Sequence, residues 1–561
     1  MANLYSIRKI VKIPSSMLSE SKPKWELRVS LQDLKSSNQI IGMASSYVTR
    51  TLDVIANTEY SEERVSEIKS KIKSLTKEKS NTKTRREIGQ LNKELFDSLF
   101  IPHLCCIHID KGSHYDRLNK GFSICVYDET TGEIVSDVEF VRFLSTSASI
   151  KKSEVFYINK DYKEIMMKYI NCERDESVKF VPAKLSAYQA LTMSSSNPVT
   201  NTYNVCVVND YEHEITTSVL ELDDSKQEEP IITQIDDYKM MLNCSDGFGF
   251  IDEGLAHQWS DDLHLDYVPS GFIARNAFCK GVLARFPFKE FAHEHGISTI
   301  TDIWGKVWNI DEVDIVLTTS MLKLSNCYSS WDDYYNKCQK YSYTFSVTKF
   351  TPKTHDMERT TNYQFIQAME WTDEDIKEFL KPSLDEIKAI KGADWKQALV
   401  YLRGMSLNED SDVLRNDYTT AMMIEPRIIE DSYVRSSINN MIKKRLDDCK
   451  KGTIKVRGNY QTVVCDPILL AQSMLGLPTK GLLKADEFHS EFWNRLGVDY
   501  VIGFRAPQTA YECTARMNLI SNEETKRWYR YLDGMFIFNG YDATCARMSG
   551  CDFDNFVTLS K

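Results

Sequence analysis

No run of 18 apolar residues occurs in the 561-residue sequence, so a membrane-spanning helix is not expected. The stretch from Met1 to Ile10 has no apolar core of the kind a secretory signal carries. Repeats with a period of about 20–50 residues are absent, and so are linkers rich in Pro, Gly or Ser. The 14 cysteines follow no regular spacing and include no Cys-x-x-Cys pair. A chain of this length buries a sizeable core without disulfides, so they read as reduced thiols in a cytoplasm. Positive charge is in deficit as well: 69 Lys and Arg stand against 80 Asp and Glu, a net charge of −11. That excludes a protein held on nucleic acid by global charge and leaves room only for a local basic channel. Hydrophobic residues at 42% and charged residues at 27% are those of a soluble globular protein. The length predicts roughly three or four domains.

Residues 61–100 stand out. Val65, Ile68, Ile72 and Leu75 recur at helical spacing, as do Ile88, Leu91, Leu95 and Leu99, around a polar stretch at 79–83. The pattern predicts a helical hairpin. Its first arm and tip carry Lys69, Lys71, Lys73, Lys77, Lys79, Lys83, Arg85 and Arg86. Two readings stay open, a prong that tracks phosphates or a solvated helix face. Further on, 103–109 and 122–127 predict strands, with a turn at 128–132. Residues 203–222 and 231–252 are β-rich, 355–450 mostly helical, 452–465 and 498–505 strand-like, and 521–540 helical. Within the helical part, Thr372 caps one helix and Pro382 opens the next. This order predicts an α+β protein with two β-modules joined by a helical connector, not one doubly wound sheet.

Several residues invite a chemical reading. His103, Cys105, Cys106 and His108 bring zinc to mind, but neighbours on a strand face opposite sides, which is wrong for a closed tetrahedral site. His293 and His295 lack the i, i+4 spacing of a helical zinc pair and are expected on a surface turn before Gly296. The glycine-rich 246–254 lacks a P-loop lysine, so its glycines read as a turn entering a strand. Near the C-terminus, Asp552 and Asp554 stand two apart beside Gly550. In a loop that leaves extended geometry, such carboxylates converge on one hard cation such as Mg²⁺, whose other ligands come from phosphate and water. Taken alone, a pair of this kind is common. Lys280 follows Arg275 closely, and Lys323 follows the apolar run from Val313 to Leu317. Each lysine is either aimed at a phosphate-bearing cleft or snorkelling at the surface.

In combination these signals form a pattern. Phe504-Arg505-Ala506-Pro507-Gln508-Thr509, followed by Cys551-Asp552-Phe553-Asp554-Asn555, resembles the largest catalytic subunit of multisubunit RNA polymerases. There an Arg-Ala-Pro-Thr segment precedes the metal-binding Asn-Ala-Asp-Phe-Asp-Gly-Asp loop. Upstream, Asp246-Gly247-Phe248-Gly249, Lys280-Gly281 and Thr319-Ser320-Met321-Leu322-Lys323 resemble the partner barrel. The set is most similar to the single-chain two-barrel RNA polymerases, which include the RNA-silencing polymerases and the YonO-like and crAss-like phage polymerases. Val181-Pro182-Ala183-Lys184 with Ala187-Tyr188, Ser270-Gly271 before Arg275, and Asn362 to Gln367 look like the phage branch. So do Gly458-Asn459-Tyr460, Cys465-Asp466-Pro467, and Gly481 to Lys484 running to Phe492-Trp493-Asn494. The resemblance covers roughly residues 110–555.

The resemblance implies two double-psi β-barrels facing each other across a cleft. It divides the chain into an N-terminal region 1–110 with the hairpin, a mixed α/β domain 111–234, a first barrel 235–350, a helical connector 351–451 and a second barrel 452–561 truncated at the aspartate loop. The implied activity is that of a phage DNA-dependent RNA polymerase working by a two-metal Mg²⁺ mechanism. Asp552 and Asp554 would hold the metal, and Lys280 and Lys323 would meet the triphosphate and the RNA end. Arg505 would meet the sugar–phosphate, Pro507 would shape its turn, and Arg275 and Lys484 would join them at the substrate. The implied partners are a nucleic-acid template (DNA rather than RNA), ribonucleoside triphosphates and the RNA product, in a bacterial host cytoplasm with no membrane.

The sequence departs from the family at one point. The family loop is Asp-x-Asp-x-Asp, and its third position is Phe556 here. The family chain also continues well past this loop, whereas six residues, 556–561, follow Asn555. One expectation is an interrupted gene in which 556–561 is read-through and a second polypeptide or missing C-terminal portion completes the enzyme. The others are an RNA-templated polymerase and a catalytically silent nucleic-acid-binding remnant. An accessory binding protein with no catalytic ancestry would explain the basic hairpin but not the ordered motifs.

Overall fold

A computed structural model describes residues 7–20, 25–28, 39–58, 60–77, 82–127, 130–225, 231–392, 394–402, 417–551, 553 and 556–560. It is a mixed α+β protein built on three large sheets. The N-terminal sheet has eight strands in the order Ser19–Glu20, Trp25–Arg28, Phe122–Tyr127, Ile134–Arg142, Glu154–Asn159, Phe100–His108, Ile7–Pro14 and Ile40–Ala44. Because Ile7–Pro14 pairs in parallel with Phe100–His108, strands from both sides of residue 110 share one sheet. Alternation along Phe100–His108 sends Leu104 and Cys106 into the main core and Cys105 and Ile107 into a second one with Phe122 and Tyr157. The two adjacent cysteines therefore point apart.

The hairpin consists of helices Glu62–Lys77 and Thr82–Leu99. Among the described residues Val65, Ile68, Thr84, Leu91 and Leu99 are its buried positions, and Arg64–Glu94 and Lys71–Glu87 ion pairs cross between the arms. Lys69, Lys71, Lys73, Lys83, Arg85 and Arg86 are exposed. Lys79 lies outside the described residues.

The second sheet has seven strands in the order Val205–Val208, Ile315–Thr318, Phe248–Ile251, Cys279–Arg285, Gly271–Asn276, Ser346–Phe350 and Asn197–Pro198. It reaches upstream of residue 235, because Val205–Val208 pairs in parallel with Ile315–Thr318. An antiparallel ribbon, Glu212–Asp223 with Ile231–Asn243, leaves this module and returns to it. Gly249 permits close passage here: a Cβ on it would lie 2.2 Å from the Val316 carbonyl oxygen.

The connector packs its own small core from Ile387, Ile390, Ala398, Met422, Ile429, Val434, Ile438 and Ile442. Pro382 does not open a new helix as expected. It lies inside one continuous helix, Asp373–Lys391, that begins at the Thr372 capping box. The helix forgoes one backbone hydrogen bond at the proline, and the burial of Ser383, Ile387 and Ile390 beyond it holds the later turns in line.

The third sheet also has seven strands. Its main path is Glu358–Thr360, Lys455–Cys465, Phe556–Ser560, Tyr500–Phe504, Thr514–Leu519 and Glu487–Phe488, with Met535–Phe538 paired in parallel to Lys455–Cys465. The helix expected over 521–540 covers only Glu523–Trp528. The fully buried run Met535–Phe538 takes a strand slot instead, as short apolar runs with no polar face do. Phe556–Ser560, expected as read-through, is an interior strand that pairs with Gly458–Thr462 on one side and Ile502–Phe504 on the other. Among the described residues each sheet is an open path of strands, and no helix is long and apolar enough to cross a membrane.

Candidate active site

The second and third sheets pack directly against each other. Gly271 faces Met535, and a Cβ there would lie 2.1 Å from the methionine Cε. Ser270 Oγ donates to Asp533 at 2.8 Å and accepts the Gly534 amide at 2.9 Å. Trp528 meets Phe291 edge-on at 5.0 Å, and Arg527 pairs with Glu294. The candidate site lies where turns of the two modules approach.

On the first module, Gly271–Asn276 and Cys279–Arg285 form a tight antiparallel pair in which Arg275 stands directly opposite Lys280. Arg275 also donates from Nη1 to the Ala274 carbonyl at 2.9 Å. On the far side of the Lys280 strand runs the segment after Ile315–Thr318. The Lys280 amide donates to the Met321 carbonyl and the Lys323 amide to the Phe278 carbonyl, each at 3.0 Å. Lys323 is thereby fixed one strand over from Lys280, and all three cations are half-buried. Their field reaches Cys279: burial pushes its thiol up to about 12, while Arg275 and Lys323 both pull the other way.

On the second module, Arg505 follows strand Tyr500–Phe504. Its Nη1 donates to the Ser549 carbonyl at 2.7 Å and the Met548 carbonyl at 3.4 Å. Ser549 Oγ donates in turn to the Pro507 carbonyl. Ser549 and Gly550 both have left-handed φ, 57° and 58°, and turn the chain into the segment that bears Asp552 and Asp554. Arg505 therefore braces the approach to that loop. Asp552 and Asp554 lie outside the described residues. Phe553 between them is buried, and its amide donates to the Asp246 carbonyl of the first module at 3.2 Å. This bond ties Phe553 to the glycine turn that precedes strand Phe248–Ile251.

Lys484 is exposed on a loop whose backbone converges on Asp466. That buried carboxylate accepts from the Leu482, Leu483 and Ile468 amides and from the Tyr529 hydroxyl, at 2.5, 3.1, 2.9 and 2.8 Å. Burial raises the Asp466 pKa, and these donors oppose the rise. The glycine-rich 246–254 forms a turn, strand Phe248–Ile251 and the Asp252 cap of helix Glu253–Asp262. His293 is paired with Asp311 near the end of helix Phe288–Glu294, and His295 bonds the Phe291 carbonyl. Sequence reasoning missed Asp210, whose carboxylate gathers Ser245, Thr319 and Ser320. The available signal was an acidic residue just past an apolar run that proves to be a parallel strand.

Comparison with known proteins adds the family. The model for RNA dependent RNA polymerase matches residues 130–494, and the chain belongs to that family. It is 26% identical over 431 residues to the DNA-directed RNA polymerase YonO of Bacillus phage SPbeta, an alignment covering 74% of this chain and 46% of the relative. Among solved structures it is similar to the RNA dependent RNA polymerase QDE-1 from Thielavia terrestris, with a TM-score of 0.49 and 15% identity. That match covers 75% of this chain and 44% of the other. The chain thus spans about half the length of the relatives it matches.

Proposed function

We propose that the chain is the nucleotide-handling core of an RNA polymerase, a nucleotidyltransferase that joins ribonucleoside triphosphates along a nucleic-acid template. The observation that carries this reading is the rank of Arg275, Lys280 and Lys323, together with the Phe553 amide's bond to the Asp246 carbonyl of the first module. The reaction is in-line attack of the RNA 3′-hydroxyl on the α-phosphorus of a nucleoside triphosphate, with pyrophosphate leaving. In this reading the three cations hold the triphosphate and meet its growing negative charge without reorganising. Arg505 keeps the aspartate loop in place and lies beside the sugar–phosphate, Pro507 shapes the adjoining turn, and Lys484 reaches the substrate from its loop.

Asp552 and Asp554 supply only carboxylate oxygen, the hard donor that Mg²⁺ takes, with water and phosphate completing its shell. When bound, the metal lowers the pKa of the attacking hydroxyl and neutralises phosphate charge. The two seven-stranded modules are read as facing double-psi barrels. Each joins strands distant in sequence through a parallel pair, Val205–Val208 with Ile315–Thr318 and Thr462–Cys465 with Met535–Phe538, which supports that reading. DNA is the favoured template, because the curated relative is a DNA-directed enzyme. An RNA template is the second reading, carried by the family's own description. The place of action is the cytoplasm of a bacterial host.

The test is extension of a labelled RNA primer on single-stranded DNA and on single-stranded RNA with Mg²⁺. It uses this chain alone and with the products of adjacent genes, so a second polypeptide is covered. Extension on either template, lost in Lys323→Ala, supports the proposal. Absence of extension in every combination, together with no saturable nucleotide binding, refutes it.

A further inference from the structure

A pocket where helix Tyr47–Ile55 meets the first module holds a cation without a counter-ion. Ser46 caps this helix and bridges to Ser195. Tyr47 stacks on Tyr343 at 3.7 Å and donates its hydroxyl to the Tyr341 carbonyl at 2.7 Å, so the helix is fixed against the segment that enters strand Ser346–Phe350. Arg50, on the same helix, lines the space between them. Its Nη1 donates to the Ser196 carbonyl at 2.6 Å and the Ser45 hydroxyl at 3.3 Å, and its Nη2 to the Ser196 hydroxyl at 3.4 Å. These acceptors are all neutral, and among the described residues no carboxylate forms an ion pair with Arg50. Burial lowers its pKa to about 10, and the more distant charge of Glu62 opposes that only in part, so the group stays charged at neutral pH. A guanidinium has five N–H donors, so Arg50 has donors to spare.

On the other walls stand Arg275 and Asn276 at the end of strand Gly271–Asn276, Ser346 opposite Arg275 in register, and Tyr188, with Thr344 at the exposed rim. Among the described residues no Asp or Glu lines the pocket. Water centres range over about 30 Å³ within it, which is room for a group the size of one phosphate and not for a whole nucleotide. We propose that this pocket is a phosphate-binding subsite, in which Arg50 supplies a forked donor and Arg275 a second positive charge. A partly buried cation with only neutral partners carries an uncompensated desolvation cost, which an anion relieves. A guanidinium matches two phosphate oxygens at once. Both walls are held by packing before anything binds, so little ordering opposes binding. Arg275 also faces Lys280, but Lys280 and Lys323 do not line this pocket, so it is a separate volume from the triphosphate rank. The ligand chemistry is that of one phosphate group, carried by a nucleic-acid strand or free in solution. The inference stands on the pocket itself and not on the polymerase reading.

The experiment is equilibrium dialysis with radiolabelled inorganic phosphate at pH 7.5 in metal-free buffer, using the full chain and the variants Arg50→Gln, Thr344→Glu and Lys323→Ala, each checked for folding by circular dichroism. The wild type should bind phosphate saturably. Arg50→Gln removes the charge and Thr344→Glu sets a carboxylate at the mouth; each should weaken binding by about tenfold or more. Lys323→Ala, outside the pocket, should leave it within about threefold. No saturable phosphate binding by the wild type overturns the inference, as does wild-type affinity in folded Arg50→Gln or in Thr344→Glu. A site lost in Lys323→Ala and kept in Arg50→Gln is the triphosphate rank, which overturns this inference and leaves the polymerase reading standing. Thr344 is exposed, so Thr344→Glu carries the decision should Arg50→Gln not fold. A short fluorescent single-stranded DNA separates the two sources. For a strand phosphate, Arg50→Gln lowers DNA affinity and its salt slope by about 0.7; for free phosphate, DNA affinity stays at the wild-type value while the dialysis still responds.

Discussion

Gly281→Ala is the substitution that most directly probes how the site is built. Gly281 follows Lys280, and a Cβ there would lie 2.4 Å from the Gly247 carbonyl oxygen and 2.7 Å from Cγ and Cε of Met321. The backbone at 281 is not left-handed, so alanine meets no torsional penalty and the effect is purely steric. Ordinary contact begins at about 3.5 Å, so the Gly247 carbonyl must retreat by about 1 Å. It is not free to do so. It accepts the Val282 amide at 2.8 Å, and its own residue's amide is held by Ser320 at 2.8 Å. Breaking one buried bond costs about 1–3 kcal/mol and overpacking a further 1–3 kcal/mol. The smaller unfolded-state entropy of alanine returns about 0.4–1 kcal/mol. The net expectation is a loss of about 1–6 kcal/mol, together with weaker nucleotide binding as Lys280 and the 246–247 turn shift. Urea unfolding of wild type and variant measures it. Gly89→Ala is the control: it sits in helix Thr82–Leu99 with nothing within 4 Å of its Cβ and should gain about 1 kcal/mol. Equal stability of Gly281→Ala and wild type would refute the close-packed account of these turns.

Other outcomes follow from the same structure. Lys323→Ala should weaken nucleoside triphosphate binding by about 10- to 100-fold, the worth of one charge-assisted bond, read by fluorescence titration; an unchanged affinity removes Lys323 from the site. Charge reversal at Lys83, Arg85 and Arg86 should lower the salt dependence of template binding by about 0.7 in slope for each phosphate no longer neutralised. An unchanged slope means that the hairpin is a solvated face. His489 and His355 are both held below the usual histidine pKa by burial. Below about pH 6.5 the unfolded chain therefore takes up protons that the folded chain refuses, and stability should fall as pH falls through that range. Urea midpoints at pH 7.5 and 5.5 check this, and His489→Gln should flatten the difference; a wild-type midpoint that is level or rises on acidification contradicts it.

The sequence was most legible where periodicity and chemistry agreed. Val65, Ile68, Leu91 and Leu99 marked a helical pair, and its helices run over Glu62–Lys77 and Thr82–Leu99. Thr372 with Asp375 is a local capping signal, and the helix starts where it says. What failed was set by tertiary context. Pro382 is a good first-turn residue and equally survives inside a helix whose later turns are anchored by burial. Met535–Phe538 is too short for periodicity to separate helix from strand, and its parallel partner lies some 70 residues upstream. Sheet membership is likewise set at long range, because a strand near residue 10 pairs with one near residue 105, and Val205 with Ile315. At the candidate site, Arg275, Lys280 and Lys323 were found through resemblance, but their mutual placement follows only from strand register. Asp210 has only a weak local signature, an acidic residue just past an apolar run, since its partners lie 35 to 110 residues away.

Charge is where sequence and fold join most closely. A net charge of −11 forbids binding polyanions by bulk attraction. The structure resolves the difficulty by separating the signs. Residues 69–86 hold eight Lys or Arg and one Glu, while residues 212–243 hold nine Asp or Glu and two Lys. The acidic ribbon leaves the first module just past Asp210 and re-enters just before Asp246. Its two ends thus lie beside the Asp210 carboxylate and the Asp246–Gly247 turn. On the proposed polymerase reading, an acidic arm rooted there repels phosphate from its own flank and leaves the basic hairpin and the Arg275–Lys280–Lys323 rank as the surfaces that attract a polyanion.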